Sequence, residues 1–564
     1  MARQGLHLFA LGGLDRTGSR NMMIFDCDGD LIAVDCGFGF PDEHFPGAEL
    51  LVPDVSYLRP LVDRLKGIFI SHRHEDHMGA LPWVWADIPA PVYCTAFVAG
   101  MLFEKMSRLG FDMPAPVHVM EPGKDKAVQV GKFKVEMVHV THSTPQSTSI
   151  AIHTPYGSVL HSADYRMDDH PRYEAPTDEA RLKELGDQGL LAVLGDATGA
   201  LSHKVLASEQ SVEDSLAEII AARKGRRVFV TTFSTHIYRL RGLLQIAKEQ
   251  GRKVTAVGSA IQTSLKVANK LGLLPDDLYG LVMPVEQIHK VNQSNTLILI
   301  GGCQADQRSS LVRLANDESS DFKISKNDTV IFSSSWIPGN EMPIFKVVIG
   351  LMKQGAEVLH EKKGDFVHAS GHATIPDIKR YFTLTRPQVL IPVHGDYPQL
   401  VSSCQIAKEC GIPQQMIVEN GQVVQLYPQI RLTEEVVPHG VVAIEEQRLI
   451  EADEQYIYKE RRKMAETGIV FVTLPVSKTG KYLAGPVAIT THGVLDEKLW
   501  ADTMTAIKAD MRQFIDRLAP KGQIRNLDQL KEAVRQGVRR SFMAEIGRKP
   551  TAIVSVIQVA GPTG

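Results

Sequence analysis

Residues 71–77 read SHRHEDH, three histidines, an aspartate and a glutamate within seven positions. Imidazole and carboxylate are the donors that a borderline or hard divalent cation takes, so the chemistry on offer is metal binding. Chance is a poor explanation: with 20 histidines in 564 residues, HxHxDH is expected roughly 0.0015 times in a chain of this length. In an extended loop alternate side chains face the same way, so His72 and His74 can converge on one ion. Asp76 and His77, at the start of a helix near His77, then turn toward a second. Arg73 and Glu75 fall between them as exposed spacers.

Two ions need further ligands. His142 in HVTHST, Asp164 in LHSADYR and His394 in LIPVHGDY each follow an apolar run that reads as a strand. All can therefore gather with the first cluster along one sheet edge, with Asp164 bridging both ions. His139 and His161 compete locally for the same roles. Two ions about 3.5 to 4 Å apart generate hydroxide at neutral pH and clamp the oxygens of a phosphodiester during in-line attack. This chemistry is consistent with hydrolysis of a phosphodiester.

The elements that must position these residues change along the chain. The first 200 residues are short apolar strands punctuated by turns, and MMIFDCDGDLIAVD reads as a hairpin, so this part has antiparallel content. From 206 to about 360 strands alternate with helices, which predicts a parallel sheet with crossovers but without GxGxxG. After RPQVLIPVHGDYPQL the chain reads as irregular and acidic over 434–455. From 467 a small α+β unit follows, with strands GIVFVTLPV, GPVAITT and TAIVSVIQV and helices over 496–518 and 526–546.

Several strands of the middle stretch finish in small polar residues: TTFSTH, IGGC and FSSS. The carboxyl ends of parallel strands face the crevice where such sheets bind ligands, and the helix N-termini that follow favour phosphate. Ser234, Thr235, His236, Ser333 and Ser335 are therefore candidate ligand- or phosphate-binding residues, although each is equally placed to be an ordinary helix N-cap.

Composition bounds the remaining choices. Hydrophobic residues make up 44 % and charged residues 23 %, a globular balance, and no run reaches transmembrane length. A cytoplasmic protein with no membrane partner is expected. Six cysteines without a CxxC pair suggest neither a disulfide framework nor a zinc knuckle. The net charge of −3 leaves no global footprint for nucleic acid, yet residues 508–549 carry eleven Lys and Arg against five Asp and Glu.

The series VDCG (Asp35), SHRHEDH, THS (His142), SAD (Asp164) and VHGD (His394) resembles the ordered motifs of the metallo-β-lactamase superfamily. Asp164 and His394 lie 230 positions apart, so the metal domain must be interrupted, and 206–360 fits as an inserted unit. That arrangement resembles the β-CASP nucleases. GDATGA (Asp196) and VHASGHA (His368, His372) look like that family's acidic partner and catalytic histidine. FPDEHFPGAELLVPDVSYL, SSSWIPGNE and the terminal RRSFMAEIGRKPTAIVSVIQV are similar to the bacterial ribonuclease J family nearly end to end. GGLDRTGSRN and GGCQADQRSS depart from the family's usual GEIG-type and SQGEP-like segments, so no contact is carried over to Cys303–Arg308.

The resemblance implies an α/β fold: a metallo-β-lactamase αββα sandwich (1–205 and 363–430) interrupted by a β-CASP domain (206–362), then a linker (431–465) and an α+β C-terminal oligomerisation domain (466–564). It implies two zinc ions per subunit, with manganese as an alternative. His72, His74, His142 and Asp164 would hold one ion, and Asp76, His77, Asp164 and His394 the other. Asp35 would orient a ligand or the hydroxide. His372, with Asp196 behind it, would protonate the departing 3′ oxygen. His368, Ala369, Ser370, Gly371 and His372 would grip the substrate, with Gly371 allowing close backbone approach. The expected activity is 5′-to-3′ exonuclease and endonuclease cleavage of single-stranded RNA, preferring a 5′-monophosphate, by a homodimer or homotetramer in RNA processing and decay. A hydrolase of small esters shares HxHxDH but lacks the insertion. A flavin-coupled di-iron oxidoreductase would replace a ligand histidine by a carboxylate, and a silent RNA-binding scaffold would not keep every ligand.

Overall fold

The computed structural model describes residues 3–14, 16–337, 339–451, 454–496 and 498–559. Asp15 and Pro338, within two of the quoted motifs, lie outside the described residues, as do the ends of the expected first and last domains. The chain divides into two units, residues 1–40 with 51–442 and residues 41–50 with 443–564.

In the first unit the amino-terminal strands are apolar on both faces: Leu6–Gly12 and Met22–Cys27 are buried throughout. The predicted hairpin forms, with Cys27 opposite Asp30 and Phe25 opposite Ile32. Its two-residue turn, Asp28-Gly29, has φ of 45° and 93°, the left-handed pair that suits the twist of a tight hairpin. Eight strands make one sheet, in the order 431–436, 422–427, 6–12, 22–27, 30–34, 65–70, 92–94 and 117–119. Seven make a second, in the order 414–415, 389–393, 190–196, 157–161, 148–154, 133–139 and 128–130. Leu8, Phe25, Ile32 and Phe69 of the first sheet share a core with Phe133, Met137, Ile152 and Leu194 of the second. The far face of the second sheet, with Val138, Leu160 and Val193, packs on Leu182, Leu185, Ile378, Tyr381 and Leu400 of three helices. This is a sandwich of two sheets with helices outside.

The strand ending at Asp196 pairs in parallel with Val389–Val393, so that Asp196 lies beside Val393. The chain therefore leaves one strand and returns to its immediate neighbour after the insertion. Inside the excursion six strands, in the order 282–283, 253–257, 296–300, 227–231, 328–332 and 357–360, pair wholly in parallel. Apolar clusters cover both faces of that sheet, as a sheet built by crossovers requires.

In the second unit the strands Ile469–Ser477, Ala488–His492 and Thr551–Val559 form a mixed sheet. Its inner face packs on Met504, Ile507, Met511, Val534, Val538 and Phe542 of the helices Ala501–Leu518 and Leu527–Ile546. Residues 41–50, inside the stretch assigned from sequence to the first domain, belong here: Glu49 N donates to Ile444 O, and Phe45 packs on Tyr458 at 5.3 Å. The stretch read as irregular is also structured. Arg431–Val436 is an edge strand of the first unit, and Val441–Glu445 and Arg448–Ile450 pair with each other. Arg431–Val436 keeps its side chains largely in solvent, so no apolar alternation marks it.

Candidate metal centre

Parallel strands align their carboxyl ends, and the candidate ligands sit where those ends meet. Asp35 follows the strand Asp30–Val34 and Ser71 follows Leu65–Ile70, which pair in parallel. Asp164 follows Gly157–His161, Asp196 ends Leu190–Asp196 and His394 follows Val389–Val393, again mutually parallel. Ser71 O ties the two sheets together here, accepting from Thr148 N at 3.1 Å and Thr148 Oγ1 at 2.9 Å. Asp35, Ala163 and His394 adopt φ of 64°, 51° and 55°, a left-handed backbone that costs a residue with a β-carbon about 1–2 kcal/mol. Such strain collects at functional sites.

His72, His74, His142 and Asp164 bring one ligand atom each within 4.8 Å of one another. So do Asp76, His77, Asp164 and His394, and a third group joins Asp164, Asp196, His372 and His394. Asp164 is common to all three, with Oδ2 at 3.5 Å from His72 Nε2, 3.2 Å from His77 Nε2 and 3.7 Å from His142 Nε2, and Oδ1 at 3.5 Å from His394 Nδ1.

His77, His142 and His394 each have a ring nitrogen held by a neighbour. His77 Nδ1 donates to Asp35 Oδ2 at 2.7 Å, and the other Asp35 oxygen accepts from Ser71 N at 2.8 Å. His142 Nδ1 donates to Gly371 O at 2.6 Å. Thr198 Oγ1 lies 2.8 Å from His394 Nδ1. Gly37, two residues after Asp35, must lack a side chain, because a Cβ there would lie 1.6 Å from Asp76 O.

The donor set fits a cation. Ser71 Oγ donates to Asp35 Oδ2 at 3.0 Å, so it accepts from His72 Nδ1 at 3.0 Å, which leaves the lone pair on His72 Nε2. His142, with its Nδ1 proton on a carbonyl, likewise keeps its lone pair on Nε2. Both lone pairs meet His74 Nδ1, at 3.1 and 3.0 Å, and that atom carries at most one proton. Asp164 Oδ1 has no hydrogen-bond partner. Burial pushes His72 and His142 well below the ordinary imidazole range and His74 down to about 4, and neutral imidazole is the form that binds metal.

His372 stands beside the cluster with its side chain 24 % exposed, Nδ1 on Asp196 Oδ2 at 2.9 Å and Nε2 3.9 Å from Asp164 Oδ2. Burial opposes its protonation, but the Asp196 and Asp164 carboxylates outweigh that and raise it above the ordinary range. Gly371 is packed against His142 and Ser143, where a Cβ would meet atoms at 2.9 to 3.1 Å. The competitors are occupied elsewhere: His139 Nε2 donates to Ala175 O and His161 Nδ1 accepts from Ala163 N.

Arg73 and Glu75 are not exposed spacers. Arg73 is buried and pairs with Glu75 at 2.9 Å, and Glu75 pairs with buried Lys105 at 2.6 Å. The side of the loop turned away from the ligands packs against the helix Ala96–Leu109, which carries Lys105.

The inserted lobe, together with residues 166–168 and 368–370 of the sandwich, supplies a second cluster. Ser234, Thr235 and His236 follow the strand Arg227–Thr231, and Ser333 and Ser335 follow its neighbour Asp328–Phe332. Phe233 reaches within 6.3 Å of His74, ring to ring. His236 and His368 are buried, yet none of their four ring nitrogens has a hydrogen-bond partner. Glu209 Oε1 lies 3.5 Å from His236 Nε2. Arg239 pairs with Glu209 at 2.7 Å and donates to Ser333 Oγ, while Arg166 pairs with Asp168 and donates to Ser370 O at 3.0 Å. Ala369 is buried beside His368, and Ser370 Oγ accepts from His372 N at 3.1 Å. Ser335 is half-buried, its carbonyl accepting from Gln304. Sequence reasoning missed Arg166, Glu209, Arg239, Thr198 and Ser71, since single charged or hydroxyl residues carry no spacing signal.

Profiles described as the ribonuclease J β-CASP domain and the ribonuclease J C-terminal domain match residues 225–351 and 456–559. A β-lactamase superfamily domain matches 31–181, and a Zn-dependent metallo-hydrolase RNA specificity domain matches 360–413. Ribonuclease J of Sinorhizobium meliloti is 32 % identical over 536 residues, covering 94 % of this chain and 92 % of that protein. The chain belongs to the ribonuclease J family. Ribonuclease J of Synechocystis is 34 % identical over 86 % of this chain and 75 % of its own length, and that of Thermus thermophilus 31 % over 98 % and 95 %. A solved structure of a protein of unknown function from Enterococcus faecalis shares the fold, with a TM-score of 0.52 at 16 % identity over 74 % of this chain and 99 % of its own. As a member of this family, with β-CASP and metallo-hydrolase domains, the protein is a metal-dependent ribonuclease: a hydrolase that binds RNA and metal. No helix among the described residues is long and apolar enough to cross a membrane.

Proposed function

We propose that the chain cleaves single-stranded RNA both from a 5′-monophosphorylated end and internally, in RNA processing and decay in the cytoplasm, with two zinc ions per subunit or manganese in their place. The observation that carries this reading is the sharing of Asp164 by two ligand groups, together with the buried imidazoles of His236 and His368, whose ring nitrogens make no hydrogen bond.

His72, His74, His142 and Asp164 would hold one ion, and Asp76, His77, Asp164 and His394 the other. Bound there, the ions supply hydroxide at neutral pH and screen the phosphodiester oxygens. Asp35 keeps the His77 ring turned so that Nε2 faces the centre. As the bond between phosphorus and O3′ breaks, His372 gives its Nε2 proton to O3′, and Asp196, on Nδ1, holds the ring for that transfer.

His236 and His368, with Ser234, Thr235, Ser333 and Ser335, receive the 5′-monophosphate. A phosphate there accepts the N–H that each buried imidazole otherwise leaves unpaired. Residues 368–372 then run the backbone from that pocket to His372. In this reading 1–205 and 363–430 hold the ions, 206–362 grips the RNA end, 431–465 connects, and 466–564 assembles copies into a homodimer or homotetramer.

The test is cleavage of one unstructured RNA, labelled at its 3′ end and carrying either a 5′-monophosphate or a 5′-triphosphate, by the wild-type chain and by Asp76→Ala. Stepwise shortening of the monophosphate form together with internal cuts, both lost in the variant, is expected. Equal cleavage of both forms removes the 5′ pocket, and full activity in Asp76→Ala removes the metal assignment.

A further inference from the structure

A cavity of about 400 Å³ opens where the inserted lobe meets the sandwich, and none of its lining residues takes part in either cluster. Its volume is that of a small-molecule site. Arg241, Gln245 and Glu249, which recur every fourth residue on one face of the helix Ile237–Glu249, give it one wall. Arg172 and Tyr173, from the sandwich loop after Asp168, give a second, and Pro275, Asp277 and Leu278 a third.

These walls are held in place from behind. Tyr173 OH donates to Glu213 Oε1 at 2.8 Å, and Arg172 Nε donates to the same oxygen at 3.2 Å. Glu213 is buried, and Gly242 packs on it so closely that a Cβ there would lie 2.4 Å from Glu213 Oε2. The Arg241 guanidinium lies over the Tyr173 ring, 4.2 Å from its centroid, and its Nη1 donates to Leu273 O at 3.1 Å. Arg241 forms no ion pair among the described residues, and its Nε is buried with no hydrogen-bond partner. A guanidinium fixed flat on a ring, half-buried and without an anion, is a receptor for phosphate. Arg172, 5.9 Å from the centroid of the same ring, adds positive charge. The acids of the lining do not oppose this: Asp277 is neutralised by Lys248 at 2.6 Å, and Glu249 Oε1 accepts from Gln245 Nε2 at 2.6 Å. The second Glu249 oxygen can only accept, which suits the amino group of a base.

We propose that this cavity binds a nucleoside 5′-monophosphate whose base carries an amino group. The phosphate sits on Arg241 beside Arg172, the amino group donates to Glu249, and the base lies against Pro275 and Leu278. This is a second nucleotide site, distinct from the end pocket at His236 and His368, and it does not rest on that assignment.

Titration calorimetry of the full chain with GMP tests this, with guanosine and inorganic phosphate as separate titrants. His368→Ala removes binding at the end pocket, so the titrations compare that variant with His368→Ala/Arg241→Gln and His368→Ala/Arg241→Lys. The expected result is one equivalent of GMP bound by His368→Ala, weakened by about tenfold or more when Arg241→Gln is added, as befits the loss of charge-assisted hydrogen bonds. Arg241→Lys keeps the charge but not the fork and weakens binding as well. Guanosine and inorganic phosphate each bind at least about tenfold more weakly than GMP, because each makes only half of the contacts. Thermal melts, and RNA cleavage by Arg241→Gln at the wild-type rate, show that the substitution leaves the chain folded. The proposal is overturned if His368→Ala binds no GMP, if neither Arg241 substitution changes the affinity, or if inorganic phosphate binds as tightly as GMP, which leaves an anion site without base recognition.

Discussion

The two clusters of the catalytic unit are built on opposite plans. Around Asp164 four rings are held by a neighbour, His77 by Asp35, His142 by Gly371, His394 by Thr198 and His372 by Asp196. In the second cluster, which joins the inserted lobe to residues 166–168 and 368–370 of the sandwich, the arginines are neutralised, Arg239 by Glu209 and Arg166 by Asp168, while the buried ring nitrogens of His236 and His368 make no hydrogen bond. The first plan prepays the ordering of a constellation that must be accurate to act on a bond. In the proposed reading, the second keeps buried polar atoms for a group that arrives with the substrate. In the proposed reading, chemistry and end recognition are divided between these two clusters.

If that division is right, the largest loss follows from Asp164→Asn, which touches both ligand groups. RNA cleavage falls by roughly 10³-fold or more, and metal content, read by atomic emission on the purified chain, falls with it. His372→Ala comes next, slowing the cleavage step by about 10²- to 10⁴-fold in single-turnover assays while metal content stays at the wild-type value. Asp35→Asn is milder, with metal affinity or activity reduced about 10- to 100-fold in a chelator titration. His368→Ala leaves the triphosphate substrate alone and lowers the preference for a 5′-monophosphate by about tenfold, measured as a ratio of kcat/KM values. Any variant that lowers metal content and end preference together blurs the comparison, and Asp164→Asn altering end preference alone breaks it.

The smallest effect is on stability. Burial by itself raises the Glu209 carboxyl, but Arg239, His236 and Arg166 outweigh it and hold the group well below the ordinary range. A depressed carboxylate contributes stability that is complete above its unfolded value near ~4.3 and is lost as pH falls toward the folded value. Thermal stability should therefore show no Glu209 contribution to its slope between pH 7 and 5, then fall below about pH 4 by up to ~1.4 kcal/mol per pH unit from this group. Glu209→Gln removes that acid-side component, as melts in a series of buffers would reveal.

Much of this was legible from particular residues. SHRHEDH stands out because five side chains of metal-binding type crowd into one loop, and the hairpin around Asp28-Gly29 because its turn needs left-handed residues. Arg73 and Glu75 were misjudged for a physical reason: a loop alternates sides, but nothing local tells which side faces Lys105, 30 residues on. The edge strand Arg431–Val436 escaped notice because its pairing is made by backbone, and its exposed side chains repeat no apolar period.

What the sequence determined by itself is the inventory: which side chains can bind metal, which segments are strands or helices, and that 230 positions separate Asp164 from His394. These follow from local chemistry and short-range periodicity. Only the tertiary structure decided that Asp196 and Val393 are neighbours, that His142 and not His139 meets His74, and that His236 and His368 are buried with ring nitrogens that make no hydrogen bond. Each of those depends on how strands far apart in sequence pair and on what is thereby shut away from water, and no short window of residues carries that information.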